Sequence, residues 1–309
     1  MVTLGLKYLI ENIEKVIVGK TEVIKLLISG LLTNGHILIE DVPGVGKTML
    51  SLALAKSISG DSKRIQFTPD LLPSDVTGSF VYSPTTGEFD FKKGPVFTNI
   101  LLADEINRTT PRTQSALLEC MQEYKVTADG KTFPLHQPFM VIATQNPIEY
   151  LGTYPLPEAQ IDRFLMKIDM GYLSESEEIK VISAQKLKHP IDDLGPVINL
   201  EGVLSLQERV KHIEISSNVL EYIVKLVSAT REKKEEIKLG ASPRASISLM
   251  KASCAWALLE GRDYVIPDDI VKLSPWVLKH RLILQPRVAI SGKAPEDVIA
   301  ELLKNTPIP

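Results

Sequence analysis

The chain has 309 residues, 44% hydrophobic and 24% charged, enough apolar material for a sizeable core and unlike a disordered chain. A formal net charge of -3 gives no global basic field for gathering nucleic acid. Cys120 and Cys254 stand far apart among apolar neighbours, which excludes metal-ligand or redox spacing and reads as two small buried hydrophobes.

From the N-terminus, Lys7, Glu11 and Glu14 come too early for a secretory leader. The most apolar region, Val23 to Ile39, is broken by Lys25, Asn34 and His36, so no membrane span is expected and the default compartment is the cytoplasm. Short apolar runs predict buried strands at His36–Glu40, Ile65–Phe67, Ile100–Ala103, Phe139–Thr144 and Phe164–Ile168. Helical periodicity fills most gaps between them, as at Thr48–Ile58 and Thr113–Tyr124, which predicts an α/β unit with a parallel sheet covered on both faces. Two segments interrupt the alternation. Residues 78–94 flank Thr86-Gly87 with apolar runs, and residues 124–135 centre on Asp129-Gly130, a strong two-residue hairpin signal. Beyond about Met170 strand signals fade, and residues 186–196 read as a linker. Ser242-Pro243 reads as an N-cap and first helical residue of a helix running to about Leu259, and Pro267 opens another. The expected organisation is an α/β domain over 1–190 and a helical domain over 200–309.

Between the first strand and its helix lies "EDVPGVGKTML", Glu40–Leu50. It fits G-x-x-x-x-G-K-[ST] except at the first position, where Asp41 replaces glycine. Gly44 and Gly46 let the backbone turn its N–H groups toward phosphates, Lys47 reaches the terminal phosphates, and Thr48 offers a hydroxyl to Mg²⁺. Asp41 is a strand-exit residue that can make the turn by bonding backbone N–H groups, but its charge repels a triphosphate unless paired. A working site with weakened affinity is the expectation.

Further on, "ILLADEINR" ends an apolar strand in Asp104-Glu105, with Asp104 placed to hold Mg²⁺ through water and Glu105 to polarise the attacking water. "MVIATQNP" ends in Thr144-Gln145-Asn146, on the same edge of a parallel sheet, where Asn146 can orient water or touch the γ-phosphate.

The segments "DVPGVGKT", "LLADEINRTTPRTQSALLECMQE", "ATQNP" and "LPEAQIDRF", in this order, resemble the MoxR-type AAA+ ATPases, and the resemblance covers nearly the whole chain. It implies an AAA+ P-loop core with a five-stranded parallel sheet of order 5-1-4-3-2 and an all-α lid. It also implies ATP and Mg²⁺ as cofactors, and a homo-oligomeric ring, usually of six subunits, with sites at subunit interfaces. By the same resemblance Pro43, Gly44, Val45, Gly46, Lys47, Thr48 and Met49 form the Walker A region, Asp104 and Glu105 Walker B, and Asn146 sensor 1. Arg163 falls at the arginine-finger position and Arg244 at sensor 2. Val18-Gly19 matches a segment that borders the adenine, with Lys20 in place of the usual glutamine. The two hairpins correspond to the helix-2 insert and the hairpin before sensor 1. Family members are linked to protein remodelling and maturation, often of von Willebrand factor A domain proteins.

Arg108, Arg112 and Arg163 all follow motifs near the C-terminal edge of the sheet, and Asp162 is an intrachain partner within reach of Arg163. Arg163 is the first candidate for a finger acting in trans, with Arg108 and Arg112 next. Three other readings are weighed. A nucleic-acid motor is disfavoured because Lys92, Lys93, Lys125 and Lys131 are thin cover for phosphates and the first hairpin also carries Glu88 and Asp90. A nucleotide-gated scaffold without turnover is opposed by Glu105. A GTPase switch is suggested only by the D-x-x-G match of Asp75–Gly78.

Overall fold

The computed structural model describes residues 2–42, 44–85, 87–146, 153–186 and 188–308. Pro43 of the loop and Thr86 of the first hairpin's turn lie outside the described residues.

Five parallel strands form the central sheet: β1 (Ile37–Glu40), β2 (Ser62–Gln66), β3 (Ile100–Asp104), β4 (Met140–Gln145) and β5 (Met166–Ile168). Their order across the sheet is β5-β1-β4-β3-β2. Four of the strands are near-continuous apolar runs because both their faces are covered. The alternation of side chains then divides the core. Ile37, Ile39, Leu102, Ile142 and Ile168 face one cluster, built with the helices Val2–Glu14, Thr21–Leu32 and Lys47–Ser57. Leu38, Leu101, Ala103, Val141 and Ala143 face the other, closed by Leu117, Leu118 and Met121 of the helix Pro111–Glu123. The edge strand β2 departs from this pattern, with Ile65 its one buried residue among Ser62, Lys63, Arg64 and Gln66. Its first three residues were not expected to be strand.

From Leu200 the chain is helical apart from a two-stranded antiparallel pair, Ile237–Leu239 with Ile283–Leu284. Ser242 caps the helix Pro243–Leu259 through a bond from the Arg244 N–H to its Oγ (3.2 Å). That helix packs on Thr21–Leu32, so the first cluster runs on through Leu249, Leu273 and Val277 without a break near residues 190–200. No described helix is long and apolar enough to cross a membrane.

Both expected hairpins form. Gly78–Ser83 pairs antiparallel with Glu88–Lys93, and Lys125–Ala128 with Lys131–Pro134. Asp129 (φ 48°) and Gly130 (φ 76°) supply the two left-handed residues of a tight turn. Gly78 (φ 99°) is required twice over, since a Cβ there would also collide with the Lys92 carbonyl. The hairpins lean on each other, with the rings of Phe91 and Phe133 stacked at 4.1 Å and 7°.

Candidate active site

The loop after β1 delivers its helix as the sequence predicts. Gly44 (φ 89°) and Gly46 (φ 91°) are left-handed, and no atom lies within 4 Å of a Cβ built at either, so conformation rather than crowding demands glycine. The helix begins at Lys47, which points its N-terminal N–H groups and dipole at the cleft above β1. Lys47 Nζ donates to the Asp41 carbonyl at 2.8 Å.

The Asp41 carboxylate is fully engaged. Oδ1 accepts from the Val42 N–H (2.8 Å), and Oδ2 accepts from the N–H groups of Met170 and Gly171 (2.7 Å each), just past the end of β5. Asp41 therefore staples the loop to the exit of a neighbouring strand. Val45 packs against the core, and a Cβ added at Gly19 would meet the Glu177 side chain.

The carboxylate pair sits beside the loop. Ala103 opposite Ala143 in the β3/β4 register brings Thr144 next to Asp104. Thr144 Oγ1 donates to Asp104 Oδ1 (2.6 Å) and accepts from the Glu105 N–H (2.9 Å), fixing both residues with one hydroxyl. Glu105 has left-handed backbone (φ 57°, ψ 50°), a conformation uncommon for a residue with a Cβ and typical of constrained sites. Its Oε2 accepts from Gln66 Nε2 (2.6 Å) and Arg108 Nη1 (2.8 Å). Arg64 holds Asp104 Oδ2 from β2. One cleft of about 350 Å³ gathers Gly44, Gly46, Lys47, Thr48 and Met49 together with Asp104, Glu105 and Asn146. Arg64 and Gln66 also line it, and neither was anticipated. Their signal was faint, two polar residues on alternate positions of an edge strand beside Asp104. A larger but open hollow of about 640 Å³ lies in the helical part near Glu214 and Tyr264. It gathers none of the phosphate-loop or carboxylate chemistry, so the smaller cleft is the candidate site.

Arg163 and Arg244 lie elsewhere. Arg163 comes just before β5, so in a parallel sheet it stands at the N-terminal edge, away from the edge where Lys47 and Asp104 lie. It shares a cleft of about 460 Å³ with Arg244, Asn34, His36 and Lys251. The expected pairing with Asp162 does not form. Asp162 instead accepts from Arg281 Nε (2.7 Å) and Ser242 Oγ (2.8 Å), which bolts the start of the Pro243–Leu259 helix to the segment that carries Arg163. Arg281, nearly fully buried, also donates to the Phe164 carbonyl (2.6 Å), and nothing in the sequence marked it. Arg163 Nε is buried without a hydrogen-bond partner among the described residues. Burial, and then the adjacent Arg244, push the Arg163 guanidinium below its usual proton affinity. The Glu119 carboxylate offsets part of this, and the two arginines give the cleft a positive face. Arg108 is committed to Glu105 of its own cleft, and Arg112 is exposed at the start of the helix Pro111–Glu123.

A parallel sheet of this order, with a glycine-lysine-threonine loop after β1 and an acidic pair ending β3, defines the P-loop ATPases of the AAA+ class. The family profile described as "ATPase family associated with various cellular activities (AAA)" matches residues 36–166, and the AAA lid domain matches 229–302. The chain is 54% identical over 300 residues to the protein YeaC of Bacillus subtilis, covering 97% of this chain and 93% of that one. It is 43% identical over 306 residues to chaperone MoxR1 of Mycobacterium tuberculosis, covering 96% and 81%, and 30% identical over 322 residues to the protein MoxR of Methylorubrum extorquens, covering 96% and 93%. The crystal structure of a candidate ATPase from Cytophaga hutchinsonii superimposes with a TM-score of 0.92 at 42% identity, covering 100% of this chain and 96% of that one. The chain belongs to the MoxR-type AAA+ ATPases.

Proposed function

We propose that the protein is a cytoplasmic Mg-dependent ATPase that hydrolyses ATP at the interfaces of a homo-oligomeric ring and uses the cycle to remodel a protein partner. The observation that carries this reading is the division of the machinery. Lys47 and Glu105 face one cleft at the C-terminal edge of the sheet, whereas Arg163 and Arg244 face another at the N-terminal edge. One subunit therefore lacks the full set around a single nucleotide, and a head-to-tail neighbour supplies what is missing.

In this reading the loop N–H groups and Lys47 hold phosphate, Glu105 takes the proton of the attacking water, and Asn146 orients that water. Thr48 and Asp104 are hard oxygen donors of one cleft, and no described cluster of three or more His, Cys, Asp or Glu could hold a metal ion alone. Two protein oxygens suit a Mg²⁺ that keeps phosphate and water as its other ligands, and it would neutralise phosphate charge there. Val18 and Gly19 border the base. Arg163 and Arg244 meet the developing charge of the neighbour's γ-phosphate, a role supported by the buried Arg163 Nε that has no hydrogen-bond partner among the described residues. Residues 1–190 serve as the nucleotide-binding part and residues 200–309 as the lid, packed together through one shared core.

A protein partner fits the hairpins better than nucleic acid. Tyr82 (52% exposed) and Phe89 (66%) form an aromatic cross-strand pair near the tip, while Lys93 and Lys131 lie over the rings of Phe97 and Phe80. The family resemblance makes a von Willebrand factor A domain protein the first class to try. Mixing two inactive variants tests the shared site. Arg163→Ala and Glu105→Gln subunits, each nearly inactive alone, should recover activity in mixed assemblies at interfaces joining an intact Glu105 to an intact Arg163. If subunits exchange and no ratio restores activity, the assignment in trans is wrong.

A further inference from the structure

Adjacent carboxylates in a half-closed cleft repel each other and need cations. In this site arginines supply them. Arg64 places Nη2 2.6 Å and Nε 3.1 Å from Asp104 Oδ2, and the same Nη2 donates to Gln66 Oε1 at 2.9 Å. Gln66 passes the constraint on, through Nε2, to Glu105 Oε2 at 2.6 Å. The other Asp104 oxygen is already taken by Thr144, so Oδ2 is the oxygen open to exchange. The Arg64 side chain is 51% exposed and that of Asp104 15%, which puts the guanidinium on the solvent side of the carboxylate.

We propose that Arg64 is a displaceable counter-ion: it holds Asp104 Oδ2 until a divalent cation enters with nucleotide, gives way there to that cation, and in leaving lets go of Gln66. The proposal rests on the reading of Asp104 as a metal-holding group. Arginine suits the task because its planar fork grips the carboxylate and the Gln66 carbonyl at once, so both contacts are lost together. The exchange is feasible because a half-exposed ion pair biases an equilibrium by no more than about fivefold. Glu105 Oε2 loses at most its Gln66 contact in the exchange, because Arg108 Nη1 holds it independently. Arg64 is a positioning residue in this scheme, not a catalytic one.

The test uses the whole protein and a fluorescent N-methylanthraniloyl ATP, measured first in EDTA and then along a Mg²⁺ titration. Arg64→Gln should weaken metal-free binding, because Asp104 is left bare beside the triphosphate. It should also lower the Mg²⁺ concentration for half-maximal effect by about fivefold, because the competitor is gone. Arg64→Lys keeps the charge without the fork and should fall between; it carries the test alone if the glutamine variant does not fold. A residue that only braces β2 would lower the melting temperature and leave both binding quantities unchanged, and that result overturns the proposal. Asp104→Asn separates this from failure of the underlying reading. It should abolish most of the Mg²⁺ effect whatever stands at residue 64. A full Mg²⁺ effect in Asp104→Asn would remove the metal role of Asp104, and the exchange with it.

Discussion

Replacing Asp41 with glycine restores the usual first residue of the loop, and charge alone predicts tighter ATP binding. The structure predicts the opposite. The carboxylate accepts from Val42, Met170 and Gly171, and each hydrogen bond to a charged group is worth about 1.5–3 kcal/mol when buried. Asp41 is only half-buried, so water replaces part of what is lost, and a net loss of about 2 kcal/mol in unfolding free energy is expected. A new glycine also frees the loop backbone by about 1 kcal/mol, which should weaken ATP binding about fivefold. Asp41→Asn keeps one acceptor oxygen and should show roughly half of each effect. Urea denaturation and calorimetric titration of the same preparations measure the two quantities. Tighter ATP binding in Asp41→Gly at unchanged stability would mean that repulsion of phosphate, not the staple to β5, governs this position.

Lys47→Ala should lose nucleotide binding, whereas Glu105→Gln should bind ATP normally and lose turnover, as equilibrium titration and a phosphate-release assay would show; near-normal hydrolysis by Glu105→Gln would exclude it as the base. Tyr82→Ala should spare basal ATPase and impair partner remodelling, since Tyr82 is exposed beyond the ring stack that anchors the hairpin; joint loss of ATPase and melting temperature would assign it to packing instead. Burial pushes the His36 imidazole down from 6.5 to about 4, its ring nitrogens being held by the Met121 carbonyl and the Val141 N–H. Its unfolded form gains a proton first as pH falls, so its contribution is complete above pH 6.5 and is lost by up to about 3 kcal/mol on descending to about pH 4. Denaturation midpoints of wild type and His36→Gln across that window should converge as pH falls, and parallel profiles would refute the assignment.

The sheet was legible because four of its strands are buried on both faces and read as plain apolar runs. The start of β2 was not, because an edge strand with one buried face tolerates Ser62, Lys63 and Arg64. The loop, the acidic pair and Asn146 were legible as motifs, since each is fixed by chemistry local in the chain. What escaped were partners chosen by register and tertiary packing. Thr144 bridges Asp104 and Glu105 only because β3 and β4 pair as they do, and Arg281 reaches Asp162 across 119 residues. The grouping of Arg163 with Arg244 in one cleft escaped for the same reason, since it depends on how the Pro243–Leu259 helix docks beside the entry to β5.

Arg163 and Arg244 ride on different parts of the molecule, one on the approach to β5 and the other on the first turn of the Pro243–Leu259 helix, coupled by the contact from Ser242 to Asp162. Both guanidiniums line one cleft, where Arg244 disfavours the charge on Arg163 and Glu119 favours it. Because Ser242 and Arg281 both bond Asp162, the segment that carries Arg163 is tied to the helix that carries Arg244, so the two arginines are presented by one braced unit rather than by independent loops.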